Sequence, residues 1–390
     1  MINQPILFLC SSEITNNTFL NANIIIMLTK AHAMYDMWLN LKRYKFLKYS
    51  GQILKTNKLM ILTIFVLILP SSSEAENLRL FRIGTGGRTG VYYPIGMIIA
   101  RGITSNISDV EPVDLGEGGV QGYIGVAQNS AGSIENVHGV VAGEIEAGLV
   151  QADVAARAFK AEREFKGNSR VQAVRAIASL YPEKFQIATR KDANIKNVTD
   201  LHGKRISIDE IGSGTLAVMR IVLNAHGMTE KDLLPVYLKP VFTEGKVISG
   251  ELQGFAIMGG TPVAAVTQLQ QLGLEISLVP ISPKVASRIQ AQYPYLVPGQ
   301  ITAGVYPGIP ETPTIQVHAL LIVDEKIDER LVYQVTAALW SERTLSMLKA
   351  GHPQGQSITS ETALTGISIP LHPGAKKFYQ EHSERFHYIE

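Results

Sequence analysis

Residues 83–94 read IGTGGRTGVYYP, with glycines and hydroxyls set between an apolar run, Leu78–Ile83, and a helix-like one, Pro94–Ile103. Glycine lets main-chain N–H groups come close to a ligand. A helix that starts at such a loop turns its positive end toward an anion. Four more clusters of this kind follow: NSAGS (129–133), Gln151-Ala152-Asp153, IGSGT (211–215) and MGGTP (258–262). Each lies between a strand-like and a helix-like segment, at the edge where open α/β sheets bind ligands. The chemistry on offer is hydrogen-bond donation from amides and hydroxyls.

Within the first cluster Thr85, Gly86, Gly87 and Thr89 are the expected donors, the plainer alternative being a tight turn without a ligand. Arg88 could grip a carboxylate with two prongs, although a solvated surface arginine is the favoured reading. One of Tyr92 and Tyr93 is expected to face the ligand and the other to pack in the core. Ser133 reads equally as a helix cap or a ligand donor, and Asn136 is slightly favoured as functional. Gln151 belongs with them, while Asp153 either caps its helix or receives a ligand ammonium. Ser213, Gly214 and Thr215 are the strongest candidates in the second half of the chain; Thr261 is a weaker one. His138, His202, His226, His318, His352 and His372 are scattered without metal-ligand spacing, so structural roles are expected and no metal or cofactor.

Several chemistries are excluded. Gly84, Gly86 and Thr89 give G-x-G-x-x-T, the next glycine comes one position late, and no acidic residue stands where a ribose would need it. Arg88-Thr89 is not the Lys-Ser/Thr of a P-loop. Neither G-x-S-x-G nor H-E-x-x-H occurs, and no carboxylate pair is evident.

The 390 residues, 46% hydrophobic and 18% charged, are enough for two ordinary globular domains. The net charge of +2 is unevenly spread. Residues 1–75 hold seven Lys/Arg against three Asp/Glu, which leaves the rest slightly acidic. No basic stripe suggests nucleic acid. Lys55 and Lys58, the 11-residue run LMILTIFVLIL (59–69), and Ser73 and Ala75 form a charged region, an apolar core and a cleavage site. That run is too short to span a bilayer, so an exported protein cut near Ala75 is expected. The stretch before Lys55 plays no part in such a signal, which favours a start at Met34 or Met37. The single cysteine, Cys10, lies in the removable part, and the mature chain would have no thiol nucleophile or disulfide.

The elements that would position the clusters alternate. Strands are expected at 78–84, 123–128, 147–151, 174–181, 185–190, 254–259, 275–281 and 315–323. Helices are expected at 94–105, 133–144, 153–164, 215–227, near 243–250 and at 262–272, with a mostly helical C-terminal part. This alternation argues an α/β fold with mostly parallel sheets.

Taken together, IGTGGRTGVYYPIG, AGSIENVHGVVAGEIEAGLVQADVA, ASLYPEKFQIATR, DLHGKRISIDEIGSGT, QITAGVYPG and IPLHPGAKKFYQE resemble the TAXI family. These are solute receptors of tripartite ATP-independent periplasmic (TRAP) transporters. The resemblance runs in order from about Leu78 to Glu381. It implies a two-lobed periplasmic-binding-protein fold of type II, with two mostly parallel sheets and a ligand cleft between the lobes. The chain would cross near Thr189–Asp192 and return near Tyr306–Gln316. Lobe 1 would be 77–189 plus 316–390, and lobe 2 would be 190–315. The implied ligand is a small carboxylate, a glutamate-like amino acid or a dicarboxylate, and the implied partners are TRAP membrane subunits. A monomer is expected. A periplasmic sensor component, or an enzyme reusing the scaffold, is the alternative. Arg88-Thr89 and the glycine-rich segment 109–122 depart from the family's pattern.

Overall fold

The computed structural model describes residues 78–105 and 119–388. The apolar run 59–69, the cleavage site at Ala75, Cys10 and most of segment 109–122 lie outside the described residues.

Ten strands form one sheet: β1 (Arg79–Gly84), β2 (Tyr123–Gln128), β3 (Ala147–Gln151), β4 (Val174–Arg190), β5 (Arg205–Ser207), β6 (Leu234–Val236), β7 (Gly254–Gly259), β8 (Ile276–Leu278), β9 (Val297–Ile301) and β10 (Thr312–Asp324). Their order is β2-β1-β3-β10-β4-β7-β5-β6, with β8 beside β4 and β9 beside β10. The helices used below are α1 (Tyr92–Ile103), α2 (Ser133–Ala142), α3 (Ala152–Phe159), α4 (Gly214–Ala225), α5 (Ala264–Gln271), α6 (Pro283–Gln292), α7 (Glu329–Leu339), α8 (Glu342–Gly351) and α9 (Pro373–Glu381).

The α/β class holds. Among the strands of the described residues, parallel pairing joins β1 with β2 and β3, and β5 with β6 and β7. Two mostly parallel sheets were expected; one mixed sheet is found, because β4 and β10 are long enough to serve both groups. Val174–Ser179 of β4 pair with Asp324–Leu320 of β10, while Lys184–Thr189 pair with Gly259–Gly254 of β7. Ala319–Val323 of β10 pair with β3, and Thr312–Gln316 with β9.

Strand β4 also joins the two short strands expected at 174–181 and 185–190. Proline has no amide to give a ladder, so Pro182 reads as a break. Here Pro182 stands opposite His318, beside a register shift between His318 and Leu320. The irregularity absorbs the missing bond and the strand continues.

Burial follows the apolar pattern. Ile95, Ile99 and Ile103 recur every fourth residue on α1, all with no exposed surface. They pack with Leu339, Trp340 and Tyr379 over one face of the first group of strands. All residues of β3 and β7 are buried, as strands covered on both faces require.

Candidate functional site

Four of the five donor-rich junctions converge on one cavity of about 60 Å³. From the first come Gly86, Gly87, Thr89 and Tyr92; from the second, Ser133; from the third, Gln151. Ser213, Gly214 and Thr215 arrive from the fourth, across the sheet's long strands. Helices α1, α2 and α4 all begin at this cavity. Their first-turn amides lack partners within the helix, so the lining is rich in donors.

The two sides touch. Backbone amides of Ile134 and Glu135 donate to the Gly212 carbonyl at 3.1 and 3.2 Å. Lys239, in the loop after β6, donates from Nζ to the Ser130 carbonyl at 3.0 Å and pairs with Glu210 at 2.9 Å. Gly214 lies so close to Gln151 that a Cβ there would be 2.5 Å from its Oε1, and the end of the Gln151 side chain would have to shift.

Local folding explains the placements. Ser213 is the N-cap of α4, its Oγ accepting from the Leu216 amide at 3.0 Å. Thr215 Oγ1 accepts from the Met258 amide at 3.1 Å, tying α4 to β7. Ser133 is not a cap; Gly132 holds that position, and Ser133 Oγ accepts from the Gln151 amide at 3.1 Å. Of the tyrosines, Tyr92 is the inward one.

Six of the candidate ligand residues do not line this cavity. Thr85 is fully buried, and its hydroxyl donates to the Gln128 carbonyl at 2.8 Å. Asn136, also fully buried, gives Nδ2 hydrogens to the carbonyls of Thr85 and Leu149 and accepts from Ser130 Oγ. Both residues fix the junctions to one another and do not line the cavity. Asp153 is held by Arg157 at 2.6 Å and faces a separate pocket. Arg88 is exposed over the Tyr93 ring, 5.8 Å from its centroid, so neither reaches the cavity. Thr261 is buried, with its carbonyl accepting from Gln354 Nε2 at 2.6 Å. Of the fifth junction only Met258 lines the cavity, beside Ile257 of β7.

Three charged residues of the cavity wall were missed in the sequence: Glu183, Asp209 and Lys239. Glu183 sits on β4 with 1% of its surface exposed, and Tyr92 Oη donates to its Oε2 at 2.8 Å. Burial above all pushes this carboxyl well above its usual range; the Tyr92 bond opposes that, and the Asp153 charge adds to it. Asp209 follows β5 with φ of 67°, a region an aspartate enters at some cost. Burial pushes it up to about 6, against hydrogen bonds from the Glu210 amide and the Thr215 and Ser213 side chains. An acid at the end of a strand beside a glycine cluster was the available signal for Asp209. Glu183, between a proline and a lysine, reads as a solvated turn.

Among the described residues no group of three or more His, Cys, Asp or Glu could hold a metal ion. No helix there is long and apolar enough to cross a membrane.

A profile of the NMT1-like family matches residues 83–382. Similar solved structures include a protein of Bordetella bronchiseptica RB50, at 15% identity over 79% of this chain and 81% of that one, with a TM-score of 0.46. Another is the periplasmic aliphatic sulphonate-binding protein SsuA of Escherichia coli, at 13% identity over 78% and 83%, with a TM-score of 0.37. A third is the substrate-binding protein of an amino acid ABC transporter, at 10% identity over 70% and 93%, with a TM-score of 0.38. At such similarity none of them bears on what this chain binds.

Proposed function

Because the chain belongs to the NMT1-like family, we propose that it works as an exported solute receptor, of the TAXI type, that captures a small carboxylate and delivers it to TRAP membrane subunits. The observation that carries this reading is the convergence of four junctions, from both groups of strands, on one cavity bridged by Lys239 and Gly212. A receptor needs contacts divided between two bodies, so that the ligand favours the closed form.

The two lobes of this proposal meet where β4 and β10 exchange neighbours. On this proposal the crossings would fall at 180–184 and 316–319, against the crossing near Thr189–Asp192 and the return near Tyr306–Gln316 that the family resemblance implies. A carboxylate would be received by the Gly86–Val91 loop, the α2 and α4 N-termini and Lys239. Hydrogen bonds to charged groups contribute about 1.5–3 kcal/mol each. Three or four of them, less the cost of ordering, correspond to a Kd on the order of micromolar. The receptor is read as a periplasmic monomer, with no nucleic-acid partner and no cofactor.

Thermal melts of the purified protein with glutamate, 2-oxoglutarate and C4 dicarboxylates test the reading. Stabilisation by at least one carboxylate is expected. Silence across a broad carboxylate and amino-acid panel would overturn it.

A further inference from the structure

A wall built only of donors would suit any carboxylate, but this cavity has a second character. Gln151 Oε1 is buried and has no hydrogen-bond partner. Glu183 and Asp209 line the same 60 Å³ space. These three acceptors come from the end of β3, the middle of β4 and the loop after β5, so no single turn produces them together. Lys239, the lysine on the wall, is already paired with Glu210. A second carboxylate on the ligand would find no donor in these three groups and would enter beside two acids, whose ionisation it would oppose. A positively charged nitrogen would meet three acceptors.

Resting on the receptor reading above, we propose that Glu183, Asp209 and Gln151 Oε1 form a subsite for a ligand ammonium, so that the captured solute is an amino acid rather than a dicarboxylate, and that its capture expels a proton from the cleft. The step is simple. The Glu183 O–H bond breaks, the carboxylate pairs with the ligand's R–NH3+, and the proton leaves to the buffer. Glu183 is prepared for this by its surroundings. Tyr92 Oη donates to it, Tyr181 stands near, and the charge of Asp153, itself held by Arg157, disfavours ionisation until a cation arrives. Around Asp209 stand the Glu210 amide and charge and the Ser213 and Thr215 side chains.

The sign separates the two ligand classes. Proton release makes affinity rise with pH, by up to tenfold per unit for one proton. A dicarboxylate entering beside these acids would draw a proton in, and its affinity would fall as pH rises.

Calorimetric titration of the purified protein with glutamate, glutamine, 2-oxoglutarate and succinate, from pH 5 to 8 and in phosphate and Tris buffers, is the test. The amino acids are expected to bind tenfold or more tighter than the matched dicarboxylates, with 0.5–1 proton released at pH 7, as one titrating group allows. Glu183→Gln keeps an acceptor for Tyr92 and should abolish the buffer-dependent heat while weakening amino-acid binding at least tenfold. Asp209→Asn should weaken it too. Tighter binding of 2-oxoglutarate or succinate, or affinity that falls with rising pH, would overturn the proposal and leave the receptor reading standing. Binding of none of the four, nor of any wider carboxylate panel, would overturn both.

Discussion

The Lys239 ammonium donates to the Ser130 carbonyl at 3.0 Å, joining the loop after β6 to the loop after β2. These residues are 109 positions apart, and Lys239 also lines the cavity beneath the contact. Its second bond, to Glu210 at 2.9 Å, anchors the side chain on its own side. The arrangement ties together two loops that border the cavity.

Lys239→Met should therefore loosen the tie between these loops and, on the proposed receptor reading, weaken ligand capture. A hydrogen bond to a charged group contributes about 1.5–3 kcal/mol, and 1.4 kcal/mol is tenfold in affinity. Isothermal titration with the best ligand is expected to show affinity lowered about tenfold or more. Unchanged affinity would remove this tie from the account.

Asp209→Asn should stabilise the empty protein at neutral pH. The folded state raises this acid to about 6, so folding favours its protonated form. No penalty exists below pH 4, where the carboxyl is protonated whether the chain is folded or unfolded. Stability is lost as pH climbs from about 4 to 6, and above that window the buried carboxylate costs about 2–3 kcal/mol. Asparagine tolerates the positive φ and keeps the acceptor for the Glu210 amide. Melts of wild type and variant should nearly coincide at pH 4 and separate by several degrees at pH 7.5.

Arg88→Ala should change affinity by less than about twofold, since the guanidinium lies outside the cavity over Tyr93 and exposed contacts of this kind contribute under about 1 kcal/mol. A tenfold loss on titration would place the arginine in the cleft.

Asn136→Ala should act on the fold. It takes one side-chain donor from each of the Thr85 and Leu149 carbonyls, leaving Ser130 Oγ as the side-chain donor to Thr85, and removes the acceptor Oδ1 that faces Ser130 Oγ. Buried groups left unpaired cost about 1–3 kcal/mol each. Chemical denaturation is expected to show a loss of about 2–5 kcal/mol, with ligand affinity of the folded fraction nearly unchanged.

Gly125→Ala should also destabilise. An added Cβ on β2 would stand 2.0 Å from the Ala100 carbonyl oxygen of α1, which is backbone and cannot swing aside. Overpacking of this type costs about 1–3 kcal/mol or more, read as a Tm lowered by several degrees.

The chain alone was enough for the α/β class, for β2, β3 and β7 at their observed ends, and for the junctions at 83–92, 129–133, 151 and 211–215. Local signals decide these: apolar period, glycine after a strand, a hydroxyl at a helix start. It also marked Gly86, Tyr92, Ser133, Gln151 and Gly214, which the fold does bring together. Three things were decided only in three dimensions. The merging of two short strands into β4 depends on β10, more than a hundred residues away, shifting its register opposite Pro182. The inward or sideways course of each hydroxyl and amide depends on partners such as Gln128 and Leu149, which no local pattern names. Glu183 and Lys239 look like ordinary solvated charges in a linear chain, and Asp209 shows only its place between a strand and a glycine cluster. Whether such groups are costly or useful is set by burial and by what faces them, and both belong to the folded molecule.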